Sequence, residues 1–202
     1  MGKVKAIIWD LAGVLLHTPD GHFNRTLARR LNVPLADAVR VMESPENALW
    51  DLDDWGDDQF FGFILRELGL PAAVRSILES IYTEDCYIDM VMLAYARGMR
   101  RHHRTALLTN FPARVHQLMR DVWHGDGSFD HVVASCDVKL LKPDPRIYNL
   151  TLDRLGAAAG ETVFVDDTLE NVMAAAELGM RAILFENRSQ VLADMELALM
   201  AS

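Results

Sequence analysis

Short apolar runs are separated by amphipathic segments along much of the chain. Five of these runs are rich in Val, Ile, Leu or aromatic residues, and they cover Val4–Trp9, Thr105–Thr109, His131–Ala134, Thr162–Val165 and Arg181–Phe185. Their apolar residues are consecutive and do not alternate with polar ones, which is typical of parallel strands that are covered on both faces. Helical patterns separate the later runs, so the order indicates βαβ units in an open α/β sheet.

The predicted helices that follow the later runs carry recognisable end signals. These helices cover Pro112–Trp123, Asp144–Leu155, Thr168–Leu178 and Ser189–Met200. Proline is favoured at the first position of a helix, and glycine directly after a helix is a common C-cap, as at Gly156 and Gly179. We therefore expect a doubly wound, mostly parallel α/β sheet core of the Rossmann-like type.

The interval between the first and second apolar runs breaks this rhythm. It contains helical patterns and no convincing strand, and the predicted helices are Phe23–Leu31, Leu35–Met42, Asp57–Leu68 and Ala72–Tyr82. This pattern predicts an all-helical cap over residues 18–95, inserted into a core that comprises residues 1–17 and 96–202. The cap contains an acidic run, interpreted as a solvated loop that ends in a helix N-cap; its members are Asp51, Asp53, Asp54, Asp57 and Asp58.

Composition narrows the class of protein. The 202 residues carry 20 Lys and Arg against 29 Asp and Glu, a formal net charge of −9. This balance argues against a general nucleic-acid partner, which requires a basic face. No apolar stretch reaches the roughly 20 residues of a membrane span, so no membrane partner is expected. Two cysteines, Cys86 and Cys136, make no disulfide framework, and we expect core thiols in a reducing, cytoplasmic setting.

Polar side chains follow four of the predicted strands, at the sheet edge where open α/β folds bind ligands. They are Asp10 after the first run, Thr109 and Asn110 after the second, Lys142 after the third, and Asp166 and Asp167 after the fourth. Carboxylates bind Mg²⁺ through hard oxygen ligands, and an aspartate can act as a covalent nucleophile. Lysine and a threonine hydroxyl can hold phosphate oxygens.

Four segments carry a resemblance to a known family. In order and spacing, IIWDLAGVL, ALLTN, LLKPDPRIY and VFVDDTLENVMAAAELGM resemble the four motifs of haloacid dehalogenase-like hydrolases that have a helical cap after the first strand. The resemblance implies that Asp10 is the nucleophile and that Thr109 and Asn110 bind the phosphoryl group. It also implies that Lys142 stabilises charge on the phosphoryl oxygens, the electrostatic contribution that usually dominates phosphoryl transfer.

The same resemblance implies a metal site and an activity. Mg²⁺ is expected to bind Asp10, the backbone carbonyl of Ala12 and Asp166, with Asp167 and Asn171 supporting this shell from outside. The implied activity is Mg²⁺-dependent hydrolysis of a small phosphorylated metabolite through an aspartyl-phosphate intermediate.

One position departs from the phosphatase pattern. Ala12 stands where the family usually has a second aspartate, which protonates the leaving alcohol and then activates water. General acid–base help of this kind is worth about 10²–10⁴-fold. Three interpretations stay open: the enzyme prefers good leaving groups, His17 or His22 supplies the proton, or the protein is a catalytically weakened binding or regulatory relative.

Two related reactions are alternatives to phosphate ester hydrolysis. Phosphonate cleavage in this family needs a cap lysine, and no lysine lies in residues 18–95. Dehalogenation of 2-haloacids uses the same nucleophile, but dehalogenases do not keep the acidic pair found here at Asp166 and Asp167. We therefore expect a phosphatase, with a 2-haloacid dehalogenase-type hydrolase as the alternative.

Overall fold

The computed structural model describes residues 2–200 and alternates strands with helices. In chain order, the strands and α-helices are β1 (Ala6–Trp9), β2 (Leu16–His17), α1 (Phe23–Leu31), α2 (Leu35–Met42), α3 (Pro45–Asp51), α4 (Asp57–Glu67), α5 (Arg75–Ser80), β3 (Tyr87–Ile88), α6 (Met90–Met99), β4 (Arg104–Thr109), α7 (Arg114–Gln117), β5 (His131–Ala134), α8 (Ser135–Val138), α9 (Pro145–Leu155), β6 (Thr162–Asp166), α10 (Leu169–Glu177), β7 (Arg181–Leu184) and α11 (Arg188–Met200). Short 3₁₀ turns cover Ala72–Val74 and Ala159–Glu161, and π-helical turns cover Ile81–Asp85 and Leu118–Val122.

Five of the strands form one parallel sheet. Its order is β5-β4-β1-β6-β7, so the five predicted strands and the α/β fold are confirmed. Trp9 at the end of β1 lies opposite Leu107 in β4 and Val165 in β6. Because the strands are parallel and in register, their carboxyl ends meet at one edge of the sheet.

Both faces of the sheet are buried, which explains why its strands read as continuous apolar runs. Alternate side chains of a strand point to opposite faces. Ile7 and Trp9 belong to one hydrophobic cluster, whereas Ala6 and Ile8 belong to a second cluster that includes Tyr148 of α9. Each residue of β1 therefore meets a packed apolar layer.

A helical insertion follows β1, as the sequence predicts. β2 and β3 pair antiparallel, with Leu16 opposite Ile88 and His17 opposite Tyr87. We refer to residues 18–86, which lie between these strands and contain α1 to α5, as the cap segment; all of them are described, and none is in a strand. The predicted boundary at residue 95 falls inside α6, and we propose that the cap ends at β3.

Aromatic side chains hold the cap segment together. Trp50 of α3 stacks on Phe60 of α4 with ring centroids 4.3 Å apart. The same indole lies 5.6 Å from the ring of Tyr82 and 6.0 Å from that of Phe111, which follows β4. Aromatic pairs of this kind add stability beyond the area they bury. Trp50 therefore links two cap helices with the core.

The structure also bears on the cysteines and on helix hydropathy. Cys86 and Cys136 are free and buried, as predicted. Among the described residues, none of the helices combines the length and the apolar character that crossing a membrane requires.

Candidate active site

A lysine bridges two carboxylates at the carboxyl edge of the sheet. Asp10 directly follows β1, and Asp166 is the last residue of β6. Lys142 Nζ lies 2.6 Å from Asp10 Oδ1 and 2.6 Å from Asp166 Oδ2. All three residues are at most 5% exposed. The first, third and fourth predicted motifs therefore meet in one buried charge cluster.

Asp166 is fixed by donors from the helix that follows it. Its Oδ1 accepts hydrogen bonds from the backbone N–H of Thr168 at 2.8 Å and from Asn171 Nδ2 at 3.0 Å. Asn171 is buried in the first turn of α10. Such contacts orient a carboxylate for binding a ligand. The supporting role predicted for Asn171 stays a prediction, and these bonds are its geometric basis.

Asp167 lies over a glycine of the first motif. A Cβ built on Gly13 would be 1.8 Å from Asp167 Oδ2, and Gly13 has a φ of +81°. Only glycine fits both the left-handed backbone and this close approach without strain. This role of Gly13 was not predicted, although a glycine three residues after a candidate nucleophile was a signal for it.

Three carboxylates of the cluster could hold a metal ion together. One oxygen each of Asp10, Asp166 and Asp167 lies within 4.8 Å of the others. When all three acids are ionised and Lys142 is protonated, two negative charges remain uncompensated, a charge that suits a divalent cation. Oxygen ligands of this type are those that Mg²⁺ prefers. The residues present therefore fit Mg²⁺, while the role of the Ala12 carbonyl stays a prediction.

The electrostatics of the cluster follow from its burial. Burial raises the pKa of Asp10, Lys142 opposes this rise, and the charges of Asp166 and Asp167 add to it. Partial desolvation in the cleft raises the pKa of Asp167, and the adjacent Asp166 raises it further. Burial by itself would lower the pKa of Lys142, but Asp10 and Asp166 outweigh burial and raise it. Lys142 therefore stays charged at neutral pH.

The second motif contributes a hydroxyl and a bracing amide. Thr109 ends β4, is 1% exposed and lines the cavity beside Asp10. The Asn110 side chain instead bonds the backbone of Lys142: its Nδ2 donates to the carbonyl at 3.0 Å, and its Oδ1 accepts from the N–H at 2.8 Å. Thr109 is therefore better placed than Asn110 to bind a phosphoryl oxygen, whereas Asn110 holds the backbone at Lys142 in position.

The site opens into a cavity of about 980 Å³ between the sheet edge and the cap segment. Its cap-side wall includes aromatic side chains, among them Phe23, Trp50 and Tyr82. A cavity of this size is typical of sites that enclose a small organic molecule.

Asp51 corrects the interpretation of the acidic run as a solvated loop. It is the last residue of α3, is half-buried and lines the cavity, whereas Asp53, Asp54 and Asp58 are exposed as expected. Burial raises the pKa of Asp51 to about 8, although the charge of Lys142 opposes the rise. Asp51 could not be singled out from the sequence, because the contact from Ser135 that holds the end of α3 against the core comes from a distant segment.

The two histidines that follow the first motif also line the cavity. His17 Nε2 is 3.2 Å from the carbonyl oxygen of Val14. His22 is the N-cap residue of α1, and its Nδ1 accepts a hydrogen bond from the N–H of Asn24 at 3.2 Å. Each ring therefore has one nitrogen engaged with the local backbone.

Comparisons with curated proteins add relatives that cover different shares of the chain. Sesquiterpene phosphatase astK of Aspergillus oryzae is 28% identical over 177 residues, 87% of each chain. The phosphorylated carbohydrates phosphatase of Thermotoga maritima is 26% identical over 195 residues, 89% of this chain and 84% of that protein. Bifunctional epoxide hydrolase 2 of Mus musculus is 43% identical over 68 residues, but this match spans 34% of the chain and only 12% of that protein.

A solved structure and a family model extend the match to almost the whole chain. A magnesium complex of a HAD family enzyme from Bacteroides thetaiotaomicron superposes with a TM-score of 0.74 at 17% identity, covering 95% of this chain and 99% of that one. At this identity the likeness supports the fold alone. The family model for haloacid dehalogenase-like hydrolases matches residues 4–179. With its acidic cluster, bridging lysine and inserted helices, the chain belongs to the haloacid dehalogenase-like hydrolases.

Proposed function

We propose that this hydrolase is a Mg²⁺-dependent phosphatase that acts on a small phosphorylated metabolite through an aspartyl-phosphate intermediate. The observation that carries this proposal is the cluster in which Lys142 bridges Asp10 and Asp166 while Asp167 adds a third carboxylate. A 2-haloacid substrate is itself a carboxylate, and extra negative charge around the nucleophile disfavours it. The similarity to two phosphatases over most of the chain supports the same choice.

In the proposed reaction, each side chain of the cluster has its own part. Lys142 contacts Oδ1 of Asp10, which leaves Oδ2 as the oxygen that attacks phosphorus. Lys142 and the Thr109 hydroxyl then face the phosphoryl oxygens and stabilise their charge. Mg²⁺, held by Asp10, Asp166 and the Ala12 carbonyl, would offset the repulsion between the carboxylates and the phosphate. Asp167 would act from outside this shell.

The cavity suggests where the organic part of the substrate lies. The charged cluster forms the sheet side of the cavity, and Phe23, Trp50 and Tyr82 lie on the cap side. The phosphate therefore meets Lys142 and Thr109, and the organic group packs against these rings. The pocket fits a phosphate monoester that carries an apolar surface.

We expect turnover of an aryl phosphate to require Mg²⁺ and to stop in EDTA, because the uncompensated carboxylates repel the phosphate dianion. Initial rates before chelation, after chelation and after re-addition of Mg²⁺ measure this, and circular dichroism checks that the chelated protein stays folded. Metal-independent release of halide from a 2-haloacid would favour the dehalogenase alternative. Absence of turnover for every phosphate ester with Mg²⁺ present would favour the binding or regulatory relative.

Gly13→Ala should displace Asp167 and slow turnover by about 10–100-fold, the usual effect of disturbing the groups that orient metal ligands. The positive φ adds a stability loss of about 1–3 kcal/mol. Gly127→Ala is the matched control, because Gly127 also has a positive φ but no neighbouring atom within 4 Å of the added Cβ. Rates and denaturant unfolding separate the two effects. Equal rates in both variants would contradict a role for the close contact between Gly13 and Asp167.

A further inference from the structure

The reaction proposed above needs a proton for the departing alcohol, and the first motif supplies none. Ala12 presents a methyl group at the position in question, and it is exposed. The donor must therefore be another titratable group that lines the cavity. Besides the charge cluster, the titratable groups that line the cavity are His17, His22, Glu43, Asp51, Tyr82, Cys86, Asp89, Glu186 and Arg188.

Glu43 and Glu186 are exposed to solvent. Burial raises the pKa of the Tyr82 hydroxyl and of the Cys86 thiol well above their ordinary values, so both hold their protons too tightly. Arg188 pairs with Asp89, which leaves His17, His22, Asp51 and Asp89.

Of these four groups, His17 and Asp89 are engaged with other partners, and His22 is exposed to solvent. His17 directs Nε2 at the carbonyl of Val14. Asp89 caps α6 through the N–H groups of Val91 and Met92 and pairs with Arg188; these donors outweigh burial and lower the pKa of Asp89. His22 is exposed and uses Nδ1 as a helix cap, which leaves Nε2 as its free nitrogen.

Asp51 is held in place from the cap segment and from the core. Asn47 Nδ2, one helical turn earlier, donates to Asp51 Oδ2 at 3.0 Å. The Ser135 hydroxyl of α8 donates to the backbone carbonyl of Asp51 at 2.5 Å. Lys139 bonds the carbonyl of Leu52, the next residue, and pairs with Asp54 at 3.0 Å. The end of α3 is therefore bonded to Ser135 and Lys139 of the core, which precede Lys142 by a few residues.

The surroundings of Asp51 favour a carboxylic acid over a carboxylate. Asn47 on its own helix donates to the carboxyl, and Lys142 and Tyr82 interact with its charge. Ser135 of α8 bonds the backbone carbonyl of the same residue. Lys142 is the cation among them, and it is already committed to Asp10 and Asp166 at 2.6 Å. Burial of the carboxyl outweighs the remaining attraction and raises its pKa to about 8, which favours the protonated form at neutral pH.

We propose that Asp51 is the proton donor of the phosphoryl-transfer step, reaching the leaving oxygen from the cap segment in place of the aspartate that Ala12 replaces. This inference rests on the proposed phosphatase function and adds a catalytic residue to it. The donor position moves from the nucleophile's own loop to the cap segment, which lines the same cavity.

In the proposed reaction, the phosphoryl group moves first to Asp10 and then to water. Asp10 Oδ2 forms a bond to phosphorus while the bond from phosphorus to the ester oxygen breaks, and its electron pair stays on that oxygen. The carboxyl proton of Asp51 moves to this oxygen, which leaves as the alcohol. The Asp51 carboxylate then takes a proton from the water that attacks phosphorus. The bond from phosphorus to Asp10 breaks with its electron pair returning to Asp10, and inorganic phosphate leaves.

The test compares leaving groups in Asp51→Asn, which keeps the size of the side chain and an acceptor for Asn47. With Mg²⁺ present, kcat/KM is measured for 4-nitrophenyl phosphate and for an alkyl phosphate of similar size, since this ratio reports the steps up to alcohol release. We expect kcat/KM for the alkyl ester to fall by about 10²–10⁴-fold and that for the aryl ester by less than about tenfold. Asp53→Asn, the same change at an exposed neighbour, should alter neither value.

Other outcomes overturn the assignment in distinguishable ways. Equal losses for both esters would make Asp51 a substrate-binding or structural residue, and no loss for either would remove it from the reaction. A selective loss for the alkyl ester in His22→Ala, with Asp51→Asn unaffected, would make His22 the donor. If the wild-type protein turns over neither ester, the proposed function itself fails, and this inference fails with it.

Stability against pH tests the protonation of Asp51 without substrate or metal. A carboxyl with a folded-state pKa near 8 and an ordinary value when unfolded binds more protons in the folded state between these limits. Stability must then fall as pH rises through this window. Denaturant unfolding at pH 5 and pH 8 should therefore show Asp51→Asn gaining stability relative to wild type as pH rises, while Asp53→Asn follows wild type. Parallel curves for Asp51→Asn and wild type would mean that Asp51 is already ionised, which overturns the proposal.

Discussion

We expect Asp10→Asn to abolish turnover and to leave the fold intact. The amide has almost the shape of the carboxylate but cannot attack phosphorus, and loss of a catalytic nucleophile typically costs at least about 10⁴-fold. Lys142 keeps Asp166 as its partner at 2.6 Å. Because burial disfavours the charge on Asp10, its removal should not lower the melting temperature. Initial rates with an aryl phosphate and Mg²⁺, together with thermal unfolding, measure both effects.

The same substitution at an exposed site provides the control for Asp10→Asn. Asp126 is exposed and lies outside the cavity, so Asp126→Asn should retain the wild-type rate. A rate for Asp10→Asn above about 1% of wild type would contradict covalent catalysis by this residue. Hydrolysis would then have to proceed by direct attack of water.

Lys142→Met should impair both activity and stability, the second largest effect that the structure predicts. Methionine has a similar length but no charge, so two buried carboxylates lose their shared partner. Leaving buried charges unpaired costs about 3–5 kcal/mol of the free energy of unfolding. Removal of a donor to the charged phosphoryl group lowers kcat by about 10²–10³-fold. Denaturant unfolding and initial rates measure the two losses.

Lys5→Met is the matched control for that stability loss. Lys5 pairs with Glu161 at 2.8 Å, but its side chain is 60% exposed, and surface ion pairs contribute about 0–1 kcal/mol. If Lys142→Met were no less stable than Lys5→Met, the buried bridge would not hold the carboxylates together. Unchanged turnover in Lys142→Met would remove the lysine from the reaction.

Local signals were sufficient for the parallel sheet and most of the helices. The strands read as apolar runs because both faces are buried, and Gly156 ends α9 in the left-handed conformation, with a φ of 63°. The π-helical turns after α5 and α7 interrupt helices that the sequence predicts as continuous. A change from i→i−4 to i→i−5 hydrogen bonding leaves little trace in the spacing of apolar residues.

The parts that sequence reasoning missed depend on contacts between distant segments. α3 has one buried residue, Trp50, so it lacks the repeated apolar spacing that identifies a helix. β2 and β3 have two residues each, and they form strands by pairing with each other at the two ends of the cap segment. In the sequence, Asp51 is one of several clustered acids, a pattern typical of a solvated loop. It lies at the cavity wall because α3 packs against the core, where Ser135 bonds the Asp51 carbonyl.

In the candidate site, too, one part could be predicted from the order of the motifs, and another part depends on contacts between distant segments. The order of motifs along a parallel sheet predicted that Asp10, Lys142 and Asp166 would meet, because strand ends converge at one edge. The engagement of the Asn110 side chain with the Lys142 backbone could not be predicted, since an amide has similar sequence signals whether it faces a ligand or a neighbouring loop.

The pairing of β2 with β3 holds the two ends of the cap segment side by side, so a different insertion can replace the segment. The chain leaves the core at Leu16–His17 and returns at Tyr87–Ile88, where paired residues lie about 5 Å apart. A helical insertion of another length or sequence can therefore occupy the same two ends without altering the path of the sheet. The proposed nucleophile, Asp10, lies on the core side, and the proposed proton donor, Asp51, lies on the inserted side. Under this proposal, a recombination at these two points transfers substrate recognition and leaving-group preference together, while the phosphoryl chemistry stays with the recipient.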